Sequence, residues 1–227
     1  MLMRYDRICE ATFISRPNRF IAHVLLDGEP TVCHVKNTGR CRELLVPGAR
    51  VILSQSANPM RKTAYDLVSV YKGERLINMD SQAPNEIAAE YLPHLFPDLT
   101  ELRREVRCGD SRFDFYGVRS NGSFYLEVKG VTLERDGMVF FPDAPTMRGV
   151  KHLMELTKLR QNGIGAHMLF VVQMANVMAL QANRATDPAF ADALLLAREV
   201  GVSIHAVDCL VTPDTVKARA PVPVEFI

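Results

Sequence analysis

The chain of 227 residues is long enough for one large domain or two small ones. Its hydrophobic fraction of 48% and charged fraction of 23% are ordinary for a globular protein. No apolar run approaches the roughly 20 residues that span a bilayer, and the first ten residues are too polar for a signal peptide. We therefore expect a soluble, unexported protein of the cytoplasm.

Cysteine usage supports the same expectation. The five cysteines form no C-x-x-C pair, and their number is odd; they are Cys9, Cys33, Cys41, Cys108 and Cys209. A disulfide framework or a structural zinc site is not predicted from this pattern. The pattern predicts reduced and mostly buried thiols.

Charge is distributed unevenly along the chain. Residues 1–80 carry 12 Lys and Arg against 8 Asp and Glu, a net charge of +4, and the remaining residues carry 15 against 18, a net charge of −3. A basic half beside an acidic half hints at a polyanionic partner, although a small excess also suits an ordinary solvated surface.

The first 80 residues predict a small β domain. Apolar and β-branched runs predict strands over residues 8–14, 19–26, 31–35, 49–54 and 65–71, and Asp27-Gly28 is a hairpin turn signal. Residues 40–45 predict a short helix that ends before Pro47-Gly48. Five strands and a short helix suit a small barrel such as an OB-fold, with a small open sheet as the alternative.

The pattern changes after Asp80, and residues 81–227 predict a second domain. Helices are predicted over residues 81–95, 146–161 and 188–200, and strands over residues 102–107, 112–118, 123–131, 138–141, 167–173 and 203–207. The order predicts a mixed sheet flanked by helices, so the fold class is α/β.

Local signals support the three helices. The first has a predicted apolar stripe of Ile87, Tyr91, Leu92 and Leu95, and the second a stripe of Val150, Leu153, Met154, Leu156 and Leu159. Gly163 is the predicted stop of the second helix. Asp187 suits the N-cap of the third helix, Pro188 its first turn and Gly201 its end.

An acid followed two residues later by Lys occurs in the strand predicted over residues 123–131. Glu127 and Lys129 share one face of that strand, and we expect them to point outward while Leu126 and Val128 point to the core. On the preceding strand, Asp114 lies between two phenylalanines and alternates in the same way.

The hairpin register decides whether these side chains meet. If Asn121-Gly122 is a two-residue turn, Asp114 lies opposite Lys129, with Glu127 on the same face and within diagonal reach. A three-residue turn would instead place Asp114 on the other face.

Two carboxylates and one ammonium suit metal-dependent phosphodiester hydrolysis. Mg²⁺ prefers hard oxygen ligands and takes one or two carboxylates together with water and phosphate oxygens. The metal activates a water, and a nearby Lys orients that water or offsets developing negative charge. The alternative is a surface cross-strand ion pair, which contributes little.

Five stretches of the chain resemble one protein family. They are SRFDF (residues 111–115), YLEVKGVTL (125–133), NTGR (37–40), FPDAPT (141–146) and RGVKHL (148–153). Together they resemble the sugar fermentation stimulation protein family, and the match is colinear over nearly the whole chain.

The resemblance implies an OB-fold over residues 1–80 and a nuclease-like domain of the PD-(D/E)xK type over residues 81–227. It assigns the catalytic positions to Asp114, Glu127 and Lys129, with Mg²⁺ or Mn²⁺ as the cofactor and DNA as the partner. A fold-level resemblance does not by itself prove function.

A helix acid often joins the metal site in such domains, and the resemblance favours Glu90 for that role. Glu90 and Glu86 both lie off the predicted apolar stripe, so a solvated helix face is the alternative. Glu105 is a further candidate from the preceding strand, unless it pairs with Arg103 or Arg107.

Four basic residues are candidates for DNA contact. Arg148 and His152 are one helical turn apart on one face, which reaches DNA phosphate or is simply exposed. Arg40 and Arg42 follow a barrel strand and are candidates for phosphate contact.

Three functions therefore compete. The first is a metal-dependent nuclease, the second a DNA-binding regulator linked to sugar metabolism, and the third a metal-binding module whose barrel binds protein. The strand preference for DNA stays open at this point, because few aromatic residues of the barrel are candidates for base stacking; they are Phe13, Phe20, Tyr65 and Tyr71.

Overall fold

The computed structural model describes residues 3–37 and 39–226. In the first part of the chain the strands are β1 (Met3–Arg4), β2 (Ile8–Ser15), β3 (Ile21–Leu26), β4 (Glu29–Val35), β5 (Arg50–Gln55), β6 (Tyr65–Lys72) and β7 (Arg75–Asn78). Then follow α1 (Ala83–Leu95), β8 (Glu101–Cys108), β9 (Ser111–Arg119), β10 (Gly122–Val131), β11 (Leu133–Arg135), β12 (Met138–Phe141) and α2 (Met147–Gln161). The last elements are β13 (Gly165–Val172), β14 (Ala179–Ala182), α3 (Pro188–Val200), β15 (Ser203–Val211), β16 (Thr215–Pro221) and β17 (Val224–Glu225).

A closed five-stranded barrel occupies the N-terminal part, as the sequence predicts. Strands β2, β3 and β4 form an antiparallel meander around the Asp27-Gly28 turn, β5 pairs with β2 and β6, and β4 closes the barrel by pairing parallel to β6. This closure excludes the open-sheet alternative and has the OB-like arrangement.

The predicted helix over residues 40–45 is wrong. These residues form successive turns in which the backbone nitrogens of Leu44 and Leu45 both donate to the carbonyl of Cys41. The segment before Pro47 is too short to repay the cost of nucleating a helix.

The larger sheet is mixed and covered on both faces. Its order is β1-β16-β15-β13-β10-β9-β8, with β10, β13 and β15 parallel to one another. Helix α1 packs in the apolar cluster on one face, and α2 and α3 pack in the cluster on the other. The mixed α/β prediction is therefore confirmed, and it explains why β13 is apolar except for His167.

Side-chain caps fix the ends of α2 and α3. The Thr146 side chain accepts a hydrogen bond from Gly149 N, and the Asp187 side chain accepts one from Phe190 N. Gly201, with φ of 96°, ends α3 in the left-handed region, as predicted.

The buried face of α2 differs from the predicted stripe. Its buried residues are Gly149, His152, Leu153, Leu156 and Thr157, whereas Met154 is 51% exposed. The helix is therefore rotated so that one histidine points at the sheet.

The two parts of the chain are packed together. Strand β1 pairs with β16 in the large sheet, which the division into residues 1–80 and 81–227 did not anticipate. Each apolar cluster contains residues from both the barrel and the large sheet. All five cysteines, which lie in the described part of the chain, are free thiols, three of them buried. In the described residues no helix is long and apolar enough to cross a membrane.

A buried polar network joins the barrel to the second part of the chain. The Asn78 amide nitrogen donates to the Tyr5 hydroxyl at 2.9 Å, and its amide oxygen accepts from Gln173 Nε2 at 2.7 Å. Gln173 Nε2 also donates to the Asp80 carbonyl, and Lys36 forms an ion pair with the buried Asp80 carboxylate at 2.7 Å. Because every member is buried or half-buried, the network holds the two parts in one relative position.

We expect Asn78→Ala to lower the free energy of unfolding by about 2–4 kcal/mol, because the variant removes the buried hydrogen bonds that Asn78 makes with Tyr5, Gln173 and the Val68 carbonyl. Chemical denaturation monitored by fluorescence or circular dichroism measures the change. The matched control is Asn58→Ala in an exposed turn, with an expected change within about 0.5 kcal/mol. Equal destabilisation in the two variants would contradict the role of the network.

Two buried histidines predict acid sensitivity. Burial lowers the pKa of His167 to about 3, and it also lowers the pKa of His205, whose ring nitrogen is 3.2 Å from that of His167. Between pH 6.5 and pH 3 the unfolded chain therefore takes up a proton at His167 that the folded chain does not. The free energy of unfolding is therefore highest above pH 6.5 with respect to this group, and acidification lowers it by up to about 1.4 kcal/mol per pH unit.

We expect His167→Gln to reduce the loss of unfolding free energy between pH 6.5 and pH 5 by about 2 kcal/mol. Urea denaturation at the two pH values measures this difference, whatever the starting stability of the variant. The control is His94→Gln at an exposed position. An unchanged acid slope in His167→Gln would contradict the prediction.

Candidate functional site

The β9–β10 hairpin brings Asp114, Glu127 and Lys129 to the wall of one cavity. The pairs Arg119–Gly122 and Phe115–Leu126 make Ser120-Asn121 the turn, so the predicted Asn121-Gly122 turn is wrong. The pairing differs from the predicted register by two residues, and the side-chain period of a strand is two. All three side chains line one cavity, although Asp114 does not lie opposite Lys129 and is contacted by α1, whereas Glu127 is contacted by α2 on the other face of the sheet.

Asp114 lies just beyond the last paired residues of the hairpin. Its Oδ2 accepts a hydrogen bond from Val128 N at 2.8 Å, and its Oδ1 accepts one from Asn85 Nδ2 at 2.9 Å. Asn85 is in the first turn of α1. The carboxylate of Asp114 is therefore held from two sides, by the neighbouring strand and by the helix.

Glu127 is buried, with 3% of its surface exposed, which corrects the expectation that it points outward. Helix α2 covers this face of β10 and places His152 against it. Glu127 Oε1 accepts from Lys129 Nζ at 2.6 Å and from His152 Nδ1. The alternative of a surface ion pair is therefore wrong.

The second carboxylate oxygen of Glu127 is the exception to this pairing. Glu127 Oε2 is buried and has no hydrogen-bond partner among the described residues. A buried carboxylate oxygen without a partner carries a free-energy cost, and such atoms in native proteins often face an ion or water. This oxygen is the donor atom best placed for a cation.

The two carboxylates have different proton affinities. Burial raises the pKa of Asp114, the negative charge of Glu127 raises it further, and the hydrogen bonds from Val128 and Asn85 only partly offset this. Burial also disfavours ionised Glu127, but the hydrogen bond from His152 and the charge of Lys129 outweigh it, so its pKa is lowered. A bound cation would favour the ionised form of both.

The cavity has a volume of about 450 Å³ and is built from both parts of the chain. The barrel contributes Asn37 and Gly39, and the segment of residues 141–146 forms another wall. A Cβ at Gly130 would lie 2.6 Å from Gln173 Oε1 and 2.7 Å from Pro84 Cγ, so only glycine fits there. Thr38, which belongs to the NTGR stretch, lies outside the described residues.

The predicted third acid is not at this cavity. Glu90 lines separate grooves with His94 and Lys217. Glu86 and Glu105 do not line the cavity either; they form ion pairs with Arg104 at 2.6 Å and Arg112 at 2.8 Å. The residue that α1 directs to the site is Asn85.

The two candidate DNA-binding residues of α2 lie in different environments. Arg148 is exposed and lines the cavity, which keeps it as a candidate for phosphate contact. His152 is only 3% exposed, so the expectation that it contacts DNA is wrong. It belongs to the buried face of α2 and contacts Glu127 and Lys129 instead.

The other predicted DNA-binding residues line a second cleft. Arg40 and Arg42 are exposed there, beside Arg16 and Arg19, in a space of about 580 Å³. Gly39 lines both this cleft and the cavity of the carboxylates. We call the second space the arginine cleft.

Two residues at the cavity were missed at the sequence level. Asn85 contacts Asp114 across 29 positions, and no local pattern predicts such a contact. Gln173 is 2% exposed and follows directly on β13. A polar residue directly after a mostly apolar strand is the sequence signal that could have identified Gln173.

The described residues contain no group of three or more His, Cys, Asp or Glu side chains that could hold a metal ion. A cation at the cavity would therefore rest on two carboxylates and on water or substrate oxygens. That donor set is the one Mg²⁺ usually takes in proteins, so the residues present fit such an ion.

Comparisons with known proteins cover nearly the whole chain. The family model described as the sugar fermentation stimulation protein RE domain matches residues 82–215, and the one described as the SfsA N-terminal OB domain matches residues 14–79. A sugar fermentation stimulation protein homolog of Clostridium beijerinckii is 49% identical over 219 residues, covering 96% of this chain and 97% of its own. The homolog of Desulfitobacterium hafniense is 49% identical over 226 residues, and the match covers 99% of each chain.

A solved structure agrees with the sequence comparisons. The chain is similar in structure to SfsA of Pyrococcus furiosus, determined in complex with Ca²⁺, with a TM-score of 0.87 and 28% sequence identity. The match covers 99% of both chains. With two family models and close relatives in agreement, the chain belongs to the sugar fermentation stimulation protein family.

Proposed function

We propose that this protein hydrolyses phosphodiester bonds of DNA with the help of Mg²⁺ or Mn²⁺ held by Asp114 and Glu127. The observation that carries the proposal is the buried Glu127 Oε2, which has no hydrogen-bond partner among the described residues and lies in the wall of a cavity shared with Asp114 and Lys129. Hard carboxylate oxygens are ligands of these two ions. The Ca²⁺ complex of the Pyrococcus furiosus relative supports a divalent cation in this family.

The bound ion supplies an activated water and positive charge opposite the phosphate. The chain's own residues prepare the site. Asn85 orients Asp114 through a hydrogen bond of 2.9 Å, and His152 holds Glu127 Oε1, so that Oε2 would be available to a bound ion. Contacts of this kind fix the direction of ligand atoms and keep them ionised.

Lys129 is the candidate for stabilising negative charge during the reaction. Its ammonium is 2.6 Å from Glu127 Oε1, and 15% of its side chain is exposed at the cavity. This position allows the ammonium to keep its contact with Glu127 while it donates to a phosphate oxygen or to the attacking water. Such prearranged donors are among the largest contributions to catalysis.

DNA reaches the site across basic residues. Arg148 lies at the cavity, and the exposed Arg40 and Arg42 lie in the adjoining arginine cleft. Contacts from arginine to phosphate position nucleic acid without reading its sequence. We therefore propose that the barrel contributes affinity and the large sheet contributes chemistry.

The test is a cleavage assay on purified protein with end-labelled single-stranded and double-stranded DNA. Reactions contain Mg²⁺, Mn²⁺ or EDTA, and Glu127→Gln is the variant that distinguishes the protein from a contaminating nuclease. Metal-dependent cleavage by the wild type that is abolished in Glu127→Gln supports the proposal. No cleavage under any divalent metal would overturn it.

A DNA-binding regulator without catalysis is the second candidate. The observation that favours it is the ion pair between Lys129 and Glu127, which already offsets one of the two carboxylate charges without metal. This candidate predicts DNA binding in EDTA at the same affinity as in Mg²⁺, and no cleavage in either condition. The same assay separates the two functions.

The arginine cleft carries a prediction of its own. We expect the double variant Arg40→Gln, Arg42→Gln to bind DNA more weakly and to show a shallower dependence of log affinity on log salt, by roughly one unit of slope for each phosphate that the variant no longer neutralises. Fluorescence anisotropy at several salt concentrations measures both quantities. The control is Arg50→Gln, an exposed barrel residue paired with Glu10. An unchanged salt slope in the double variant would contradict the prediction.

A further inference from the structure

The candidate site is recessed, which restricts what can reach it. Glu127 is 3% exposed, and the cavity above it is enclosed by barrel residue Asn37 on one side and the segment of residues 141–146 on another. A volume of about 450 Å³ suits a single drug-sized group. A phosphate must therefore enter the cavity to approach the carboxylates.

A duplex is poorly suited to such an entry. Double-stranded DNA is stiff, with a persistence length of about 50 nm. Its two strands stay base-paired, and its grooves are about 6 and 12 Å wide. A single strand bends at every nucleotide, so one of its phosphates can enter while its neighbours lie outside.

The arginine cleft adjoins the cavity at Gly39, which lines both spaces. Arg40 N donates to Asp143 Oδ2 at 3.2 Å, so the barrel touches the cavity wall at this point. The exposed side chains of Arg40 and Arg42 therefore lie in the space next to the cavity, where the strand that follows a bound phosphate can reach them.

Arg16 fixes the shape of this cleft. Its guanidinium donates to the carbonyls of four residues in the two loops that form the cleft, which are Arg19, Asn37, Gly39 and Arg40. Its Nε is buried and has no hydrogen-bond partner among the described residues. The Arg16 guanidinium therefore holds the surrounding loops in place, and the side chains of Arg19, Arg40 and Arg42 remain exposed.

An exposed aromatic residue follows the cleft residues Asn18 and Arg19 in the chain. Phe20 follows Arg19 and is 55% exposed, while Asn18 Oδ1 accepts from its backbone nitrogen at 2.9 Å and its carbonyl accepts from Val35 N at 2.8 Å. The backbone is fixed and the ring faces solvent. Ile14, which is 41% exposed, adds apolar surface to the cleft itself.

We propose that the arginine cleft and Phe20 bind a single-stranded segment of nucleic acid next to the phosphate that enters the cavity. Its phosphates contact Arg19, Arg40 and Arg42, and one base stacks on the Phe20 ring. Basic grooves with aromatic platforms bind single strands in this way, because every base has a stacking face. The inference rests on the proposed function and names its substrate: a single strand, or a duplex with a single-stranded end.

The test compares a fluorescently labelled single strand with a blunt duplex of the same sequence, both in EDTA, by anisotropy on the full chain. We expect the single strand to bind at least about 10-fold more tightly. Phe20→Ala is expected to weaken single-strand binding by about 5- to 150-fold, the scale of one base–aromatic stack, and to leave duplex binding within about 2-fold. Met60→Ala is the control, since Met60 is also an exposed apolar residue of the barrel part, at 88%.

Equal or tighter binding of the blunt duplex would overturn the inference, as would single-strand binding that Phe20→Ala leaves unchanged. The outcome is separable from the cleavage assay. Metal-dependent cleavage of blunt duplex at the rate of single strands would sustain the proposed hydrolysis and reject the strand preference. Single-strand binding that depends on Phe20, without cleavage of any DNA, would sustain the binding site and reject the hydrolysis.

Discussion

Asp114→Asn is expected to lower the affinity for Mg²⁺ or Mn²⁺ by on the order of 100-fold or more. The variant removes one of the two carboxylates proposed to hold the ion, and loss of an outer partner of a metal ligand already costs about 10- to 100-fold. Its remaining carbonyl oxygen keeps one acceptor for Val128 N, while its amide nitrogen opposes the Asn85 donor. Isothermal titration calorimetry with each metal measures the affinity.

The matched control is Asp110→Asn, the same chemical change at an exposed residue in the turn that precedes β9. Without metal, we expect Asp114→Asn to melt at the wild-type temperature or above it, because it removes one of two neighbouring buried charges. This result would show that weakened metal binding does not come from unfolding. Wild-type affinity in Asp114→Asn would reject Asp114 as a ligand.

The convergence of Asp114, Glu127 and Lys129 on one cavity was predicted from the period of two in strand geometry. The observed turn is Ser120-Asn121, one residue before the predicted Asn121-Gly122. Moving a two-residue turn by one position shifts the pairing by two, which leaves every side chain on its face. Alternation along a strand is therefore a more robust predictor of which residues converge than the register of a particular hairpin.

Helix orientation was harder to predict because small residues carry little hydrophobic signal. The buried face of α1 is made by Ala83, Pro84, Ile87, Ala88 and Leu92. The predicted stripe relied on the large residues Tyr91 and Leu95 instead, and both are only partly buried. The resemblance favoured Glu90 for the site, whereas the residue of α1 that contacts Asp114 is Asn85.

The burial of His152 and Glu127 follows from contacts that the sequence does not encode locally. His152 was assigned to an exposed face because the stripe of α2 included Met154, whereas the helix buries Gly149 and Thr157 on its flanks. A glycine and a threonine are compatible with either environment. Which face is buried is decided by the sheet that the helix covers, and that sheet is assembled from distant strands.

Strands at sheet edges were missed for a similar reason. Strands β1 and β17 have two residues each, which is too short for any alternation to be read. Their pairing with β16 and β14 is made by chain segments that lie far apart in sequence or follow irregular loops. The five barrel strands were predictable from local pattern, whereas β16 was missed although its seven residues alternate in burial.

Lys129→Ala is expected to lower the rate of metal-dependent hydrolysis by on the order of 100-fold or more, the scale on which loss of one prearranged electrostatic donor acts. Both proposed metal ligands remain in this variant. Lys129 competes with a cation for Glu127, because its ammonium is 2.6 Å from Oε1. Metal affinity should therefore stay at the wild-type level or rise, and DNA binding through the arginine cleft should be unchanged.

The control is Lys151→Ala, which removes the same charge from α2 at an exposed position paired loosely with Glu155 at 3.8 Å. Cleavage rate under saturating metal, calorimetric metal titration and DNA anisotropy are measured for both variants and the wild type. The expected pattern is a reduced rate confined to Lys129→Ala, with both binding constants preserved. If Lys129→Ala cleaves as fast as the wild type, the proposed metal ligands are unaffected, but Lys129 does not stabilise the developing charge. Another cationic side chain at the cavity must then do so, and Arg148 is the candidate.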